Sequence, residues 1–148
     1  MEIINEMEIT FDALSVNEGF ARACVASFCV QLAPTLEEIT DIKTAVSEAV
    51  TNCVVHAYPK RKGKVTIKVQ LTTYSAIISI IDNGIGIADF QKAREPFYTS
   101  KPEQERSGMG FTVMESFMNK VELFSNKGKG LIVRLEKQFS SAIKKAVG

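Results

Sequence analysis

Three groups of residues have types and spacings suited to chemistry. Glu48, Asn52 and His56 stand at i, i+4 and i+8 of a segment with helical patterning. Four residues turn a helix by about 400°, so each neighbour is displaced by only about 40° and the three line one flank. A carboxylate and an amide so placed can accept a proton and hold a hard cation. A solvated flank is the plain alternative, and the apolar setting of Ala49, Val50, Cys53, Val54 and Val55 argues against it. The second group is Asp82-Asn83-Gly84-Ile85-Gly86, directly after Ile80-Ile81. A carboxylate at a strand end can accept a hydrogen bond from an exocyclic amine, and the glycines allow close backbone approach to a ligand; an ordinary turn has the same composition. The third is Arg106-Ser107-Gly108-Met109-Gly110-Phe111. Glycines opening a helix expose N–H groups and the positive end of its dipole, a phosphate cradle or simply a flexible junction. Lys101 and Arg106 could neutralise phosphate charge, or be solvated.

These groups need helices and strands to aim them. Met7, Ile9 and Phe11 alternate with polar residues and predict a short half-buried strand. Ser15-Val16-Asn17-Glu18 reads as a capping box opening a helix to about Leu32, with Phe20, Cys24 and Phe28 along one face. After Pro34, Thr35-Leu36-Glu37-Glu38 opens a second capped helix reaching about His56. Its apolar stripe is Ile39, Ile42, Val46, Ala49, Cys53 and Ala57. Pro59 ends it, and a basic turn at Lys60 to Gly63 leads to a strand from Lys64 to Thr73, where Val65, Ile67, Val69 and Leu71 alternate. Ala76 to Ile81 is its antiparallel partner. Ala88 to Ser107 has no period and contains Pro96 and Pro102, which suits a functional lid. Gly110 to Met118 reads as helix, Val121 to Ser125 and Leu131 to Lys137 as a hairpin around Gly128 and Gly130, and Phe139 to Val147 as a short helix or a fraying end. Strand, two helices, hairpin, lid, helix, hairpin is the order of an α+β sandwich with helices on one sheet face, in a single domain over residues 1–148.

Composition narrows the function classes. Hydrophobic residues make up 45% and charged residues 24%, a globular balance. The formal charge of +1, from 18 basic and 17 acidic residues, gives no footprint for nucleic acid. Cys24, Cys29 and Cys53 are odd in number and lack CxxC spacing, so free thiols in a reducing cytoplasm are expected. No apolar run approaches the roughly 20 residues of a membrane span, and the acidic, alternating start is unlike a signal peptide. The sequence has no Walker A loop, protein-kinase glycine loop or zinc spacing, and beside its single histidine nothing marks the nucleophile elbow of a Ser-His-Asp triad.

The order and separation of the three groups resemble the GHKL ATPase superfamily, which includes gyrase and the histidine kinases. Glu48 to Tyr58 is similar to its N box, Asp82 to Gly86 to its first glycine box and Ser107 to Gly110 to its second. The resemblance implies a Bergerat fold, a two-layer sandwich of helices on a mixed, mostly antiparallel sheet, with ATP or ADP and Mg²⁺ held beneath a lid. Asn17 to Arg22, Val46 to Asn52, Thr99 to Glu103 and Glu105 to Phe111 extend it to the anti-sigma serine kinases of endospore-forming bacteria, over nearly the whole chain. That family binds a sigma factor, sigma F, in the ATP state and phosphorylates a serine on an anti-anti-sigma partner. Carried over by position, Glu48 would be the general base, Asn52 the Mg²⁺ ligand and Asp82 the acceptor of the adenine amine. Gly84 and Gly86 would shape the adenine end, and Ser107, Gly108 and Gly110 would cradle phosphates. Thr99, Lys101 and Arg106 would belong to the lid, with Arg106 meeting the γ-phosphate. Glu18 and Arg22 match the family's protein-docking surface, although a plain surface ion pair would account for them too. A homodimer is implied by the family only.

Two positions depart from the family pattern. Leu131 follows Gly130 where a threonine is usual, removing a hydroxyl near the nucleotide, and Ser100 replaces a commoner threonine. A related stress-response switch kinase acting on a different sigma factor is the nearest alternative. A histidine kinase would need a phosphoacceptor hairpin for which this chain has no room. A pure binding module would not need Glu48.

Overall fold

The computed structural model describes residues 2–58, 62–84, 110–125 and 130–140. Five strands, β1 (Asn5–Asp12), β2 (Lys64–Leu71), β3 (Ser75–Asp82), β4 (Lys120–Ser125) and β5 (Leu131–Gln138), form one sheet in the order β1-β2-β3-β5-β4. Three α-helices join them: α1 (Asn17–Cys29), α2 (Leu36–Asn52) and α3 (Gly110–Phe117). The expected α+β sandwich is present. Every described strand pair is antiparallel, however, so the mixed character expected of the sheet is absent among them. The reason is topological. β3 and β4 run the same way, as strands joined through a helix do, but β5 inserts between them and pairs with both.

Strand alternation sets the two faces. On β2, Val65, Ile67, Val69 and Leu71 are buried, while Thr66, Lys68 and Gln70 face the other side half-covered. Register carries this pattern across the sheet, with Ile9 opposite Ile67, Ile67 opposite Ile80, and Ile80 opposite Val133. The helices close that face with Ala21, Val25 and Cys29 from α1, Ile42, Val46, Ala49 and Val50 from α2, and Phe111 and Met114 from α3. Removing this apolar surface from water is the main force holding the layers together. No helix among the described residues is long and apolar enough to cross a membrane.

The two expected capping boxes have different outcomes. Thr35 is an extended N-cap (φ −72°, ψ 164°); its hydroxyl accepts from Glu38 N–H at 3.1 Å, and Glu38 Oε1 accepts from Thr35 N–H at 2.8 Å. Ser15 does not cap α1. Val16 stands at the N-cap, already helical (φ −63°, ψ −22°), and no side chain caps the helix. A reciprocal cap needs an extended residue there, and the tight turn from β1, tied by Asn17 Nδ2 donating to Asp12 O at 2.9 Å, prevents it. The helix reaches Leu32 as expected, its end tightened into a 3-10 turn over Val30–Leu32 and stopped by Ala33 in left-handed conformation (φ 49°) before Pro34.

Helix α2 continues beyond Asn52 as a π-helical turn, Cys53–Ala57, so its helical run ends where expected but with altered phase. The Cys53 N–H points at both Ala49 O and Val50 O, where the hydrogen-bond pattern changes. Such turns recur at functional sites. At the other end of the layer Lys137 Nζ, from β5, donates to Asp41 Oδ2 on α2 at 2.9 Å and to Phe117 O, the last carbonyl of α3, at 2.7 Å. A cation at a helix C-terminus also opposes the negative end of the dipole. The expected lid, the basic turn around Lys60, the turn at Gly128 and the end of the chain beyond residue 140 lie outside the described residues.

The caps give a differential test. Thr35→Ala is expected to cost about 1 kcal/mol in urea unfolding, whereas Ser15→Ala should stay within about 0.5 kcal/mol. Equal losses would contradict the assignment of one capping box.

Candidate active site

The site grows from the end of the central strand. Asp82 closes β3, opposite Val65 of β2 and Leu131 of β5, and is buried at 3% exposure. A buried carboxylate needs donors. Gly84 N–H donates to Oδ1 at 2.9 Å, the Cys53 thiol donates to Oδ2 at 3.5 Å, and the Leu131 N–H also reaches the carboxylate. Burial nevertheless dominates and raises the Asp82 carboxyl above its ordinary range. The Cys53 thiol is itself pushed well up, first by burial and then by the Asp82 charge, so it stays protonated and remains a donor.

Glycines permit the close approaches. A Cβ on Gly84 would lie 2.1 Å from Ala57 O, the carbonyl ending the π-turn, so only glycine lets the loop after Asp82 close on α2's extension. Gly130, at φ +103°, would carry a Cβ 2.2 Å from Asp82 O. Tyr58 completes the frame: its hydroxyl donates to Lys64 O at 2.7 Å and accepts from Asn83 N–H at 2.8 Å. Gly130, Tyr58 and Cys53 were not among the residues expected to build the site. The turn composition marks Gly130, but Cys53 reads as an ordinary stripe residue and Tyr58 as an ordinary residue at a helix end.

Helix α2 brings Glu48 and Asn52 to the same region, both half-buried, with His56 half-buried further along in the π-turn. Glu48 lies against the N-terminus of α3: a Cβ on Gly110 would be 3.5 Å from Glu48 Oε2. A half-buried carboxylate thus sits beside a helix start, where N–H groups can receive anionic oxygens. On its other side Glu48 ends an open groove of about 430 Å³ lined with Arg22, Thr40, Lys43, Thr44 and Ser47. Glu18 and Arg22 form an ion pair at 3.1 Å on α1, and Arg22 Nη1 also reaches Ser47 Oγ at 3.5 Å. The ion pair expected at a docking surface is therefore continuous with Glu48. Gly86, Thr99, Lys101, Arg106, Ser107 and Gly108 lie outside the described residues. The hydroxyl lost at Leu131 leaves the carboxylate supported, because the contact made here is the main-chain N–H.

This arrangement suits a nucleotide with Mg²⁺: a buried acceptor at the strand end, and a carboxylate beside a helix N-terminus with an amide one turn further along the same helix. Residues 11–137 match the histidine kinase-like ATPase domain, the class that this fold and site define. The chain is 52% identical over 141 residues to the anti-sigma F factor of Thermoanaerobacter sp. (strain X514), covering 95% of this chain and 99% of that protein. It is 54% identical over 136 residues to the anti-sigma F factor of Clostridium acetobutylicum, covering 92% and 95%. A crystal structure of the RsbU and RsbW domains of a Mycobacterium tuberculosis protein shares the fold, with a TM-score of 0.65 at 20% identity over 91% of this chain and 32% of that one. The chain belongs to the anti-sigma F factor family of histidine kinase-like ATPase domains.

The raised Asp82 carboxyl has a defined pH signature. Folding favours its protonated form, so its contribution to stability is fully present below the unfolded value, about pH 4, and is lost as pH rises through the raised folded value. The stability of the nucleotide-free protein relative to Asp82→Asn is expected to decline as pH rises from about 4 towards neutrality. Thermal melts of the two proteins across that range check it; a wild-type stability that rises relative to Asp82→Asn with pH would contradict the assignment.

Proposed function

We propose that the chain is an anti-sigma factor and an ATP-dependent serine kinase. In this reading it binds and inhibits sigma F, phosphorylates a serine of the anti-anti-sigma partner, and so controls sporulation transcription from the cytoplasm as a homodimer. The observation that carries the reading is the position of Glu48 between two features. One is the N-terminus of α3 at Gly110, suited to phosphate; the other is the groove leading from Arg22, suited to an incoming protein segment. The names of the relatives at 52% and 54% identity support the sigma-factor partner.

In this proposal Asp82 accepts the adenine amine, Gly84 and Gly86 shape the base pocket, and Asn52 ligates Mg²⁺. The N–H groups opening α3 at Gly110 receive phosphate oxygens, together with Ser107 and Gly108. Thr99, Lys101 and Arg106 are assigned to the nucleotide on sequence resemblance, with Arg106 opposite the terminal phosphate. ATP–Mg²⁺, when bound, supplies the phosphoryl group and the cation that offsets its charge. Glu48 accepts the proton of the acceptor serine hydroxyl, and Glu18 with Arg22 docks the protein that carries it. Such a site works by positioning and charge compensation rather than by covalent chemistry on the enzyme.

Glu48→Gln keeps the shape of the side chain and removes its basicity. Transfer from Mg-ATP to the serine of an anti-anti-sigma protein is expected to fall by about 10²- to 10⁴-fold, with ATP affinity nearly unchanged. Radiolabel transfer and calorimetry check the two halves. Normal transfer by the variant would remove Glu48 as the base.

A further inference from the structure

Cys53 is a buried thiol that none of the steps above uses. It stands at the first position of the π-turn, one residue after Asn52, and is 2% exposed. Its Sγ lies 3.5 Å from Asp82 Oδ2, while Oδ1 is held by Gly84 N–H at 2.9 Å. Helical phase puts residue 53 on the apolar stripe with Val46 and Ala49, and all three belong to the core. Cys53 differs from them in meeting the one buried carboxylate of the described residues.

A carboxylate has about four acceptor positions. Gly84 N–H, Leu131 N–H and the Cys53 thiol occupy three, leaving one for a ligand. Without the thiol the carboxylate plane is held by two main-chain donors alone, and terminal torsions of this kind are broad. We propose that Cys53 is a positioning residue for base selection: its S–H fixes the Asp82 carboxylate plane so that the remaining lone pair meets the 6-amino group of adenine. The inference rests on the reading that Asp82 accepts that amine, and it assigns the thiol a part in specificity rather than in packing alone.

The test compares the full chain with Cys53→Ala and Cys53→Val, which lack a donor, and with Cys53→Ser, which retains one. Calorimetry with Mg²⁺ measures affinity for ADP and for purine riboside diphosphate, which differs from ADP only in lacking the 6-amine. Thermal melts confirm folding, and Cys53→Val fills the thiol's volume should Cys53→Ala fold poorly. The expected result is that the wild type prefers ADP and that the donor-less variants lose about three- to tenfold of that preference. The loss should lie in ADP affinity, with the analogue bound as before, and Cys53→Ser should recover it. Unchanged preference in the donor-less variants, equal weakening of both ligands, or no recovery by serine would overturn the positioning role. A wild type that binds both ligands equally would instead overturn the adenine assignment of Asp82.

Discussion

A carboxylate buried at the end of the central strand is the constraint around which this molecule is arranged. Asp82 is costly in the core because its charge is removed from water, and the raised carboxyl shows that the protein does not fully offset that cost. What offset exists comes from donors on three separate elements: the loop after β3, the start of β5 and the π-turn after α2. Each donor imposes a further demand. The loop closes only if residue 84 is glycine, because Ala57 O occupies the space of a side chain. The Leu131 N–H arrives only because β5 pairs with β3 in a register that sets Leu131 opposite Asp82, entered through Gly130 at positive φ. Stability has been given up at a place where a polar ligand can be recognised, as is common at functional sites.

Helix α2 connects this carboxylate to the rest of the site. Its apolar stripe binds it to the sheet, so the flank bearing Glu48 and Asn52 has a fixed direction. The capping box at Thr35 fixes where the helix begins; at its other end the Cys53 thiol meets Asp82, and the π-turn that follows ends in the Ala57 carbonyl against Gly84. Lys137 holds α2 and the C-terminal end of α3 together, which sets the N-terminal end of α3 beside Glu48. The groove that Arg22 lines together with α2 also includes Glu48. Glu48 therefore borders both the start of α3 and this groove.

Much of this was legible in the sequence because it rests on local signals. Alternation at Val65, Ile67, Val69 and Leu71 fixed β2, and the stripe from Ile42 to Ala57 fixed α2 and its extent. Glu48, Asn52 and Asp82 stood out as polar groups in apolar settings, and their order matched a known family. The failures have physical causes. Ser15 had the composition of a cap, but capping depends on a backbone angle that the turn from β1 does not allow. A parallel pairing was expected, yet strand order is a tertiary choice, and β5 took the place between β3 and β4. Spacing placed Cys53 on the core stripe without revealing its contact with Asp82, and Tyr58 follows a π-turn that no rule at 3.6 residues per turn registers.

How the nucleotide lies in this frame decides what the site can do. The most direct measurement is a crystal structure of the full chain with Mg²⁺ and a non-hydrolysable ATP analogue. The expected result has the adenine 6-amine within hydrogen-bond distance of the Asp82 carboxylate, the Asn52 amide on the metal, and phosphate oxygens at the start of α3 beside Glu48. A nucleotide bound with its base away from Asp82, or with its phosphates away from Gly110, would contradict the site described.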